Sequence, residues 1–234
     1  KDPSPFLGDR KINYSLPLGS LPLYFRKSIY DFGKQRPYAV PNPSLARHFR
    51  NKYKSMFPGK LLVGFSWRGG SGLQRSKTRS MTHDTMADLL NREGVQGISI
   101  QYGIKKPEKE WFEKNADRNV YHDDTVEPLV SMDIALAQIA ALDLIISVTN
   151  AGVHSAGALG QPCWILVPHI SDWRWTWGRQ DVIWYPGMRS FRQDSVGDWS
   201  GPLARIDTAL DAVLRGEDAL RAEPAPDMDW RGDL

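Results

Sequence analysis

The sequence predicts an α/β fold: a Rossmann-like parallel sheet with helices on both faces. Three observations carry that expectation. Short apolar runs begin near residues 61, 97, 119, 143 and 162. Stretches with helical periodicity separate them, and uniformly apolar strands alternating with helices mean a sheet covered on both sides. No internal repeat and no low-complexity tract competes with this reading.

The elements follow in order. Residues 1–57 read as a linker and one helix. The stretch from Lys1 to Pro43 is rich in Pro and Gly and lacks sustained periodicity. Ser44 is a candidate cap for a helix running to Tyr53, and Pro58-Gly59 stops it. The sheet domain is placed at 58–216. Its first strand is Leu61 to Trp67, with a glycine-rich exit. Thr82 caps a helix from His83 to Asn91, and Gly97 to Tyr102 is the second strand. A helix from Glu108 to Lys114 leads to a weak strand, Asn119 to His122. Met132 to Leu142 has helical period, Leu144 to Val148 is the fourth strand, and Gly152 to Leu159 is a short helix ended by Gly160. Pro162 to Val167 and Met188 to Arg192 complete the strands, and Leu203 to Leu214 is the closing helix. Residues 217–234 read as a polar tail.

Composition narrows the function. Lys+Arg is 30 and Asp+Glu is 27, a net charge of +3 that is too mild to argue for nucleic acid. No apolar run approaches the ~18 residues of a membrane span. The longest such stretch, Ile134 to Val148, is interrupted by Gln138 and Asp143. Cys163 is the single cysteine, so no intrachain disulfide or cysteine-held cluster can form. The start lacks the order of a signal peptide, which points to the cytoplasm, and Lys1 in place of Met points to a fragment or processed product. Aromatics are abundant, and five of the nine Trp lie between Trp164 and Trp184. Such a cluster, mixed with Arg and Gly, suits either core packing or stacking on a sugar or base.

In doubly wound sheets ligands bind at the carboxyl ends of the strands. The loops after Trp67, Tyr102, His122, Val148 and Val167 are therefore the ones to read. Arg68-Gly69-Gly70-Ser71-Gly72 offers a donor-rich backbone for a phosphate or sugar. It matches neither the dinucleotide fingerprint nor the P-loop. Gly64 to Arg68 is not a nucleophile elbow, because Arg68 stands where the sharp turn needs Gly. Lys77 and Arg79 lie before a helix start and supply cations for an anion, and Gln101 lies near the end of the second strand. The most informative segment runs from Ser147 to His154. A buried strand ends at Val148, and Thr149 or Asn150 caps the next helix. The N–H groups of Ala151, Gly152, Val153 and His154 then suit a diphosphate. The five His show no metal-ligand spacing; His122-Asp123-Asp124 and Asp227-Met228-Asp229 are read as an exposed loop and a chance match.

The stretch from Ser147 to Pro162 resembles the donor-phosphate motif of the heptosyltransferase-like glycosyltransferases of family 9, S-x-D-T-x-x-x-H-L-A-G-A-L-G-x-P. The chain is also similar to the glycosyltransferase-like domain fused to tetratricopeptide repeats in many bacterial proteins. That likeness rests on Leu16 to Pro22, Val63 to Gly69, Arg79-Ser80, Asp172-Trp173-Arg174-Trp175, Trp184 to Gln193 and Gly197-Asp198-Trp199. The resemblance implies the carboxy-terminal half of a GT-B fold. It implies a metal-independent transferase without cofactor, whose substrate is a nucleoside diphosphate sugar. The acceptor is a glycan, lipid or protein, and the catalytic base comes from an amino-terminal half. Thr149-Asn150 stand where the family has Asp-Thr, and Ser155 where it has Leu. The family's acid helps to hold the donor sugar, so an inactive binding or scaffold module of the same fold stays open as a second reading.

Overall fold

The structure is a computed structural model that describes residues 14–32, 36–69, 78–185 and 187–222. Gly70, Lys77 and the triplet Asp227 to Asp229 lie outside the described residues. The chain divides into two compact units, Lys1–Gln35 and Arg36–Leu234. The first holds short helical turns at Leu18–Ser20, Pro22–Phe25 and Ile29–Phe32. The division falls well before residue 58, so the helix expected to belong with the linker is part of the sheet domain.

That helix, α1, spans Pro43–Met56. Its cap is Asn42 rather than Ser44: the Asn42 side chain accepts from the N–H of Ser44 and of Leu45. Pro43 sits at the first helical position, where its missing N–H costs nothing. The alternation that follows is β1 (Leu61–Ser66), α2 (His83–Leu90), β2 (Val95–Ser99), α3 (Lys106–Lys114) and β3 (Val120–His122). Then come α4 (Met132–Ala140), β4 (Leu144–Val148), α5 (Ala151–Leu159), β5 (Cys163–Val167), β6 (Met188–Arg192) and α6 (Ser200–Leu214). Side chains cap several helix starts: Thr82 for α2, Ser131 for α4 and Asn150 for α5. Gly160, at φ 70°, ends α5 in the left-handed conformation that favours glycine.

The six strands form one sheet in the order β3-β2-β1-β4-β5-β6, every pair parallel. Both faces are covered. Leu62, Ile145 and Ile165 point to one core with α1, α4 and α5. Val63, Phe65, Leu144, Ile146, Trp164 and Leu166 point to the other, with α2, α3 and α6. This is the expected Rossmann-like α/β fold. Strand order reverses between β1 and β4, and that is where a crevice opens at the carboxyl edge. The second strand starts two residues before the expected Gly97, because Val95 and Gln96 pair with Leu61 and Leu62. It ends at Ser99. No described helix is long and apolar enough to cross a membrane.

Helix α1 is fastened to the sheet by a buried acid, Asp123, and a half-buried one, Asp143. Asp143 accepts the Leu62 N–H at 2.8 Å and pairs with Arg50 at 2.7 Å and Lys54 at 3.3 Å. Asp123, only 1% exposed, accepts from Lys52 at 2.7 Å, the Tyr53 hydroxyl at 2.8 Å and the Thr125 hydroxyl at 2.7 Å. Burial opposes ionisation of both acids, yet these bonds hold each below the ordinary carboxylate range. Residues after α6 strap the far edge: Trp164 Nε1 donates to the Leu220 carbonyl at 2.9 Å, and Arg189 donates to that of Ala219 at 2.6 Å. Asp123→Ala leaves Lys52 and the Tyr53 hydroxyl without their acceptor. We expect a loss of about 2–4 kcal/mol in urea denaturation. A midpoint unchanged from the parent would show that this clip does not hold α1.

Candidate functional site

The crevice at the β1/β4 switch point is organised by three buried polar side chains. Ser66 ends β1, Gln101 follows β2 and Asn150 follows β4; none is more than 8% exposed. Ser66 and Ser147 are register partners, so the two loops leave the sheet at one level. Asn150 Nδ2 donates to Ser66 Oγ at 2.6 Å and to the Arg68 carbonyl at 3.1 Å. Its Oδ1 accepts the Gly152 N–H at 2.8 Å. Ser66 Oγ donates to Gln101 Oε1 at 2.8 Å, and the N–H groups of Trp67 and Arg68 reach the same oxygen at 3.2 and 3.1 Å. Gln101 and Asn150 thus shape the crevice floor. The Gly152 N–H, expected to be available to a diphosphate, is already held by its own cap.

The remaining predicted residues separate into groups. Arg79, Thr149 and Asp172 line one cavity of about 480 Å³ at the ends of β4, β5 and β6, with Ser171, Trp175 and Gln193. Gly69 lies beneath Arg79, where an added Cβ would stand 2.7 Å from Nε. Arg68 is turned away, its guanidinium donating to Glu108 on α3 and to the Gly103 carbonyl. Ala151 and Gly152 border a much smaller space, about 30 Å³, beside Ile100 and Tyr102. Val153 is core. Trp173 is 54% exposed, packed edge-on against Trp184 and with Arg174 over its ring at 4.7 Å.

His154, in the first turn of α5, is held in an aromatic cluster. Its ring stacks on Trp175 with centroids 5.2 Å apart, and Nδ1 lies 2.8 Å from the Tyr185 hydroxyl. Tyr185 in turn packs on Gly157, where any Cβ would overlap the ring. Burial drives the Tyr185 pKa up. It drives that of His154 down, with nearby Arg174 acting in the same direction and Asp172 against. His154 is therefore neutral at pH 7 and shares one hydrogen bond, through Nδ1, with the Tyr185 hydroxyl.

Sequence reasoning did not single out Ser66, Tyr185 or Gln193 as site residues. Gln193 stood at the end of a quoted motif, but one of its two backbone partners, His169, lies 24 residues away. Its Oε1 accepts from the N–H of His169 at 3.0 Å and of Gly197 at 3.3 Å.

The chain is 26% identical over 202 residues to Protein FlbA of Caulobacter vibrioides, a match covering 86% of this chain and 33% of FlbA. No described protein family matches it. Among solved structures, E. coli ADP-heptose lps heptosyltransferase II aligns with a TM-score of 0.54 at 18% identity, over 78% of this chain and 54% of that one. The glycosyl transferase family 9 structure from Veillonella parvula aligns at 0.49 and 14%, over 77% and 54%. The chain shares its fold with glycosyltransferases. It spans about a third of FlbA and about half of each of these two structures.

Two consequences follow from the aromatic cluster. Gly157→Ala forces the Tyr185 ring away from α5. The expected cost is about 1–3 kcal/mol of stability, read by thermal unfolding; an unchanged midpoint would mean the ring moves freely. Burial also lowers the pKa of His122 and His154 below the ordinary 6.5. The unfolded chain then binds more protons below that pH, so stability is complete above about 6.5 and declines as pH falls through it. The acids Asp123 and Asp143 enter only at lower pH, since both stay ionised below 3.8. The unfolding midpoint should therefore fall between pH 7.5 and 5.5, and His154→Gln should flatten part of that slope. A slope untouched in the variant would place the titration elsewhere.

Proposed function

We propose that this chain is the donor-binding part of a glycosyltransferase, taking a nucleoside diphosphate sugar in the cleft between Arg79, Thr149 and Asp172. The observation that carries this reading is the cleft's position. It opens at the carboxyl ends of β4, β5 and β6 in a 3-2-1-4-5-6 parallel sheet, with Thr149, which follows β4, and Arg79 on its wall. A guanidinium at the carboxyl edge of such a sheet suits a diphosphate. The fold shared with a heptosyltransferase supports it. Transfer leaves negative charge on the departing diphosphate, and donors already in place lower that barrier without a metal or cofactor. His154 contributes as a neutral group, locked in orientation by Trp175 and Tyr185.

Transfer also needs a base beside the acceptor hydroxyl. In this reading the base and the site for the glycan, lipid or protein acceptor come from an amino-terminal half of a longer cytoplasmic protein, tetratricopeptide repeats among its partners. The second reading, a module that binds but does not transfer, is favoured by one residue: Thr149, on the cleft wall, replaces the acid of the resembling family.

A thermal-shift panel of UDP, GDP, ADP and CMP sugars tests binding, since a ligand that binds only the folded chain raises its midpoint. Arg79→Ala should weaken the diphosphate of the best binder by about tenfold or more, and the matching nucleoside far less. Equal losses for both would make Arg79 structural, and no shift with any sugar nucleotide would overturn the donor reading.

A further inference from the structure

The amino-terminal unit, Lys1–Gln35, differs in composition from the rest of the chain. It holds six of the 30 Lys and Arg but three of the 27 Asp and Glu, so the net charge of +3 resides in it and the rest is balanced. Its described residues, 14–32, also hold seven exposed large apolar side chains. Leu18 is 82% exposed, Leu23 74% and Phe25 65%, and Tyr14, Tyr24 and Tyr30 are exposed with them. None of the three helical turns in this stretch buries a residue. Turns of three or four residues are too short to be stable alone. Leu and Phe left in water forgo the burial that holds a fold together. Such a concentration of exposed apolar side chains marks an interaction surface.

Arrangement and charge indicate the partner. A protein groove reads a helix through anchors at i, i+3, i+4 and i+7, which lie on one stripe. Leu23, Tyr24 and Phe25 are instead consecutive in the turn Pro22–Phe25, so their side chains leave it in different directions. A fluid interface needs no stripe, because it closes round the turn. It takes Leu and Phe at the acyl boundary, Tyr at headgroup level, and Lys or Arg beside anionic headgroups. Arg26 and Lys27 follow the turn directly and both are exposed; Arg26 lies over the Phe32 ring at 5.7 Å. The positive charge of this unit complements an acidic lipid surface.

We propose that residues 14–32 are a contact for an anionic lipid surface. The turn Pro22–Phe25 sinks into the headgroup–acyl boundary with Leu23 and Phe25, and Lys27 meets the acidic headgroups. Turns this short lie on the surface and do not cross it. The proposal concerns the amino-terminal unit alone and does not rest on the donor reading.

The test mixes the full chain with vesicles of phosphatidylcholine, and with vesicles of mixed phosphatidylcholine and phosphatidylglycerol, and reads the bound fraction by sedimentation. Binding to the anionic vesicles should be about tenfold stronger or more, and raised salt should remove most of that preference. Leu23→Ser combined with Phe25→Ser should weaken anionic-vesicle binding by about tenfold or more, and Lys27→Gln by about fivefold. All three side chains are exposed, so the variants should keep the parent's thermal midpoint, which checks their folding. No binding to anionic vesicles, or binding that the double serine variant leaves unchanged, would overturn the proposal. Light scattering covers a different partner. A parent that is dimeric in solution and becomes monomeric in the serine variant would assign these side chains to a second copy of the chain instead.

Discussion

One carboxamide holds the two halves of the sheet's carboxyl edge together. Strand order reverses between β1 and β4, so the chain leaves these neighbouring strands toward opposite faces and a gap opens between their loops. Asn150 spans that gap. It needs two donors for Ser66 Oγ and the Arg68 carbonyl, and at the same moment an acceptor for the Gly152 N–H. Aspartate lacks the donors, and threonine has one donor on a shorter arm. The resembling family carries Thr at this place, so the Asn here is a local solution that builds the helix cap and the loop tie from one side chain. Ser66 passes the constraint to Gln101 and through it to the loop after β2.

The outline of this arrangement was legible in the sequence because its causes are local. Thr82, Gly160 and the strand from Leu144 to Val148 act within a few residues of themselves, and each fell where expected. What escaped depends on contacts distant in sequence. The start of β2 is set by pairing with Leu61 and Leu62, which outweighs the polarity of Gln96. The end of β2 at Ser99 frees Gln101 to serve the first loop. The Asn42 cap was hidden by Pro43, a poor residue inside a helix and a good one at its first position. Of the site, the turn from Val148 to His154 was visible, whereas Gln193 was not. Its bonds reach 24 residues back, to His169, and no spacing rule encodes such a partner.

Charge decides what the cleft admits. Several neighbouring arginines hold the loops around the cleft in place. Arg68 forms a fork with Glu108. Arg192 donates to the carbonyls of Pro168, His169, Trp175 and Thr176, and so fixes the loop that carries Asp172. Arg174 lies over Trp173. Among the described residues lining the cleft, Arg79 is the single cation and Asp172 the single acid. Gly69 is what lets the Arg79 guanidinium lie flat at the mouth of the first loop, since a Cβ there would overlap it.

Thr149 bears on this balance. A carboxylate at that buried position, 7% exposed, would set a second negative charge in the cleft against one guanidinium, and would face the developing charge of a leaving diphosphate. An acid there is useful only if something binds its charge, either a sugar hydroxyl network or a cation. The hydroxyl of Thr149 asks for neither, and on the proposal above it leaves Arg79 less opposed toward a diphosphate. The acid that remains, Asp172, sits on a loop, with its side chain 47% exposed and in partial contact with Arg174. Its charge is screened by solvent and by Arg174, which suits it poorly to acting as a base. On the proposal above, binding and transfer thus make different demands on the same two positions.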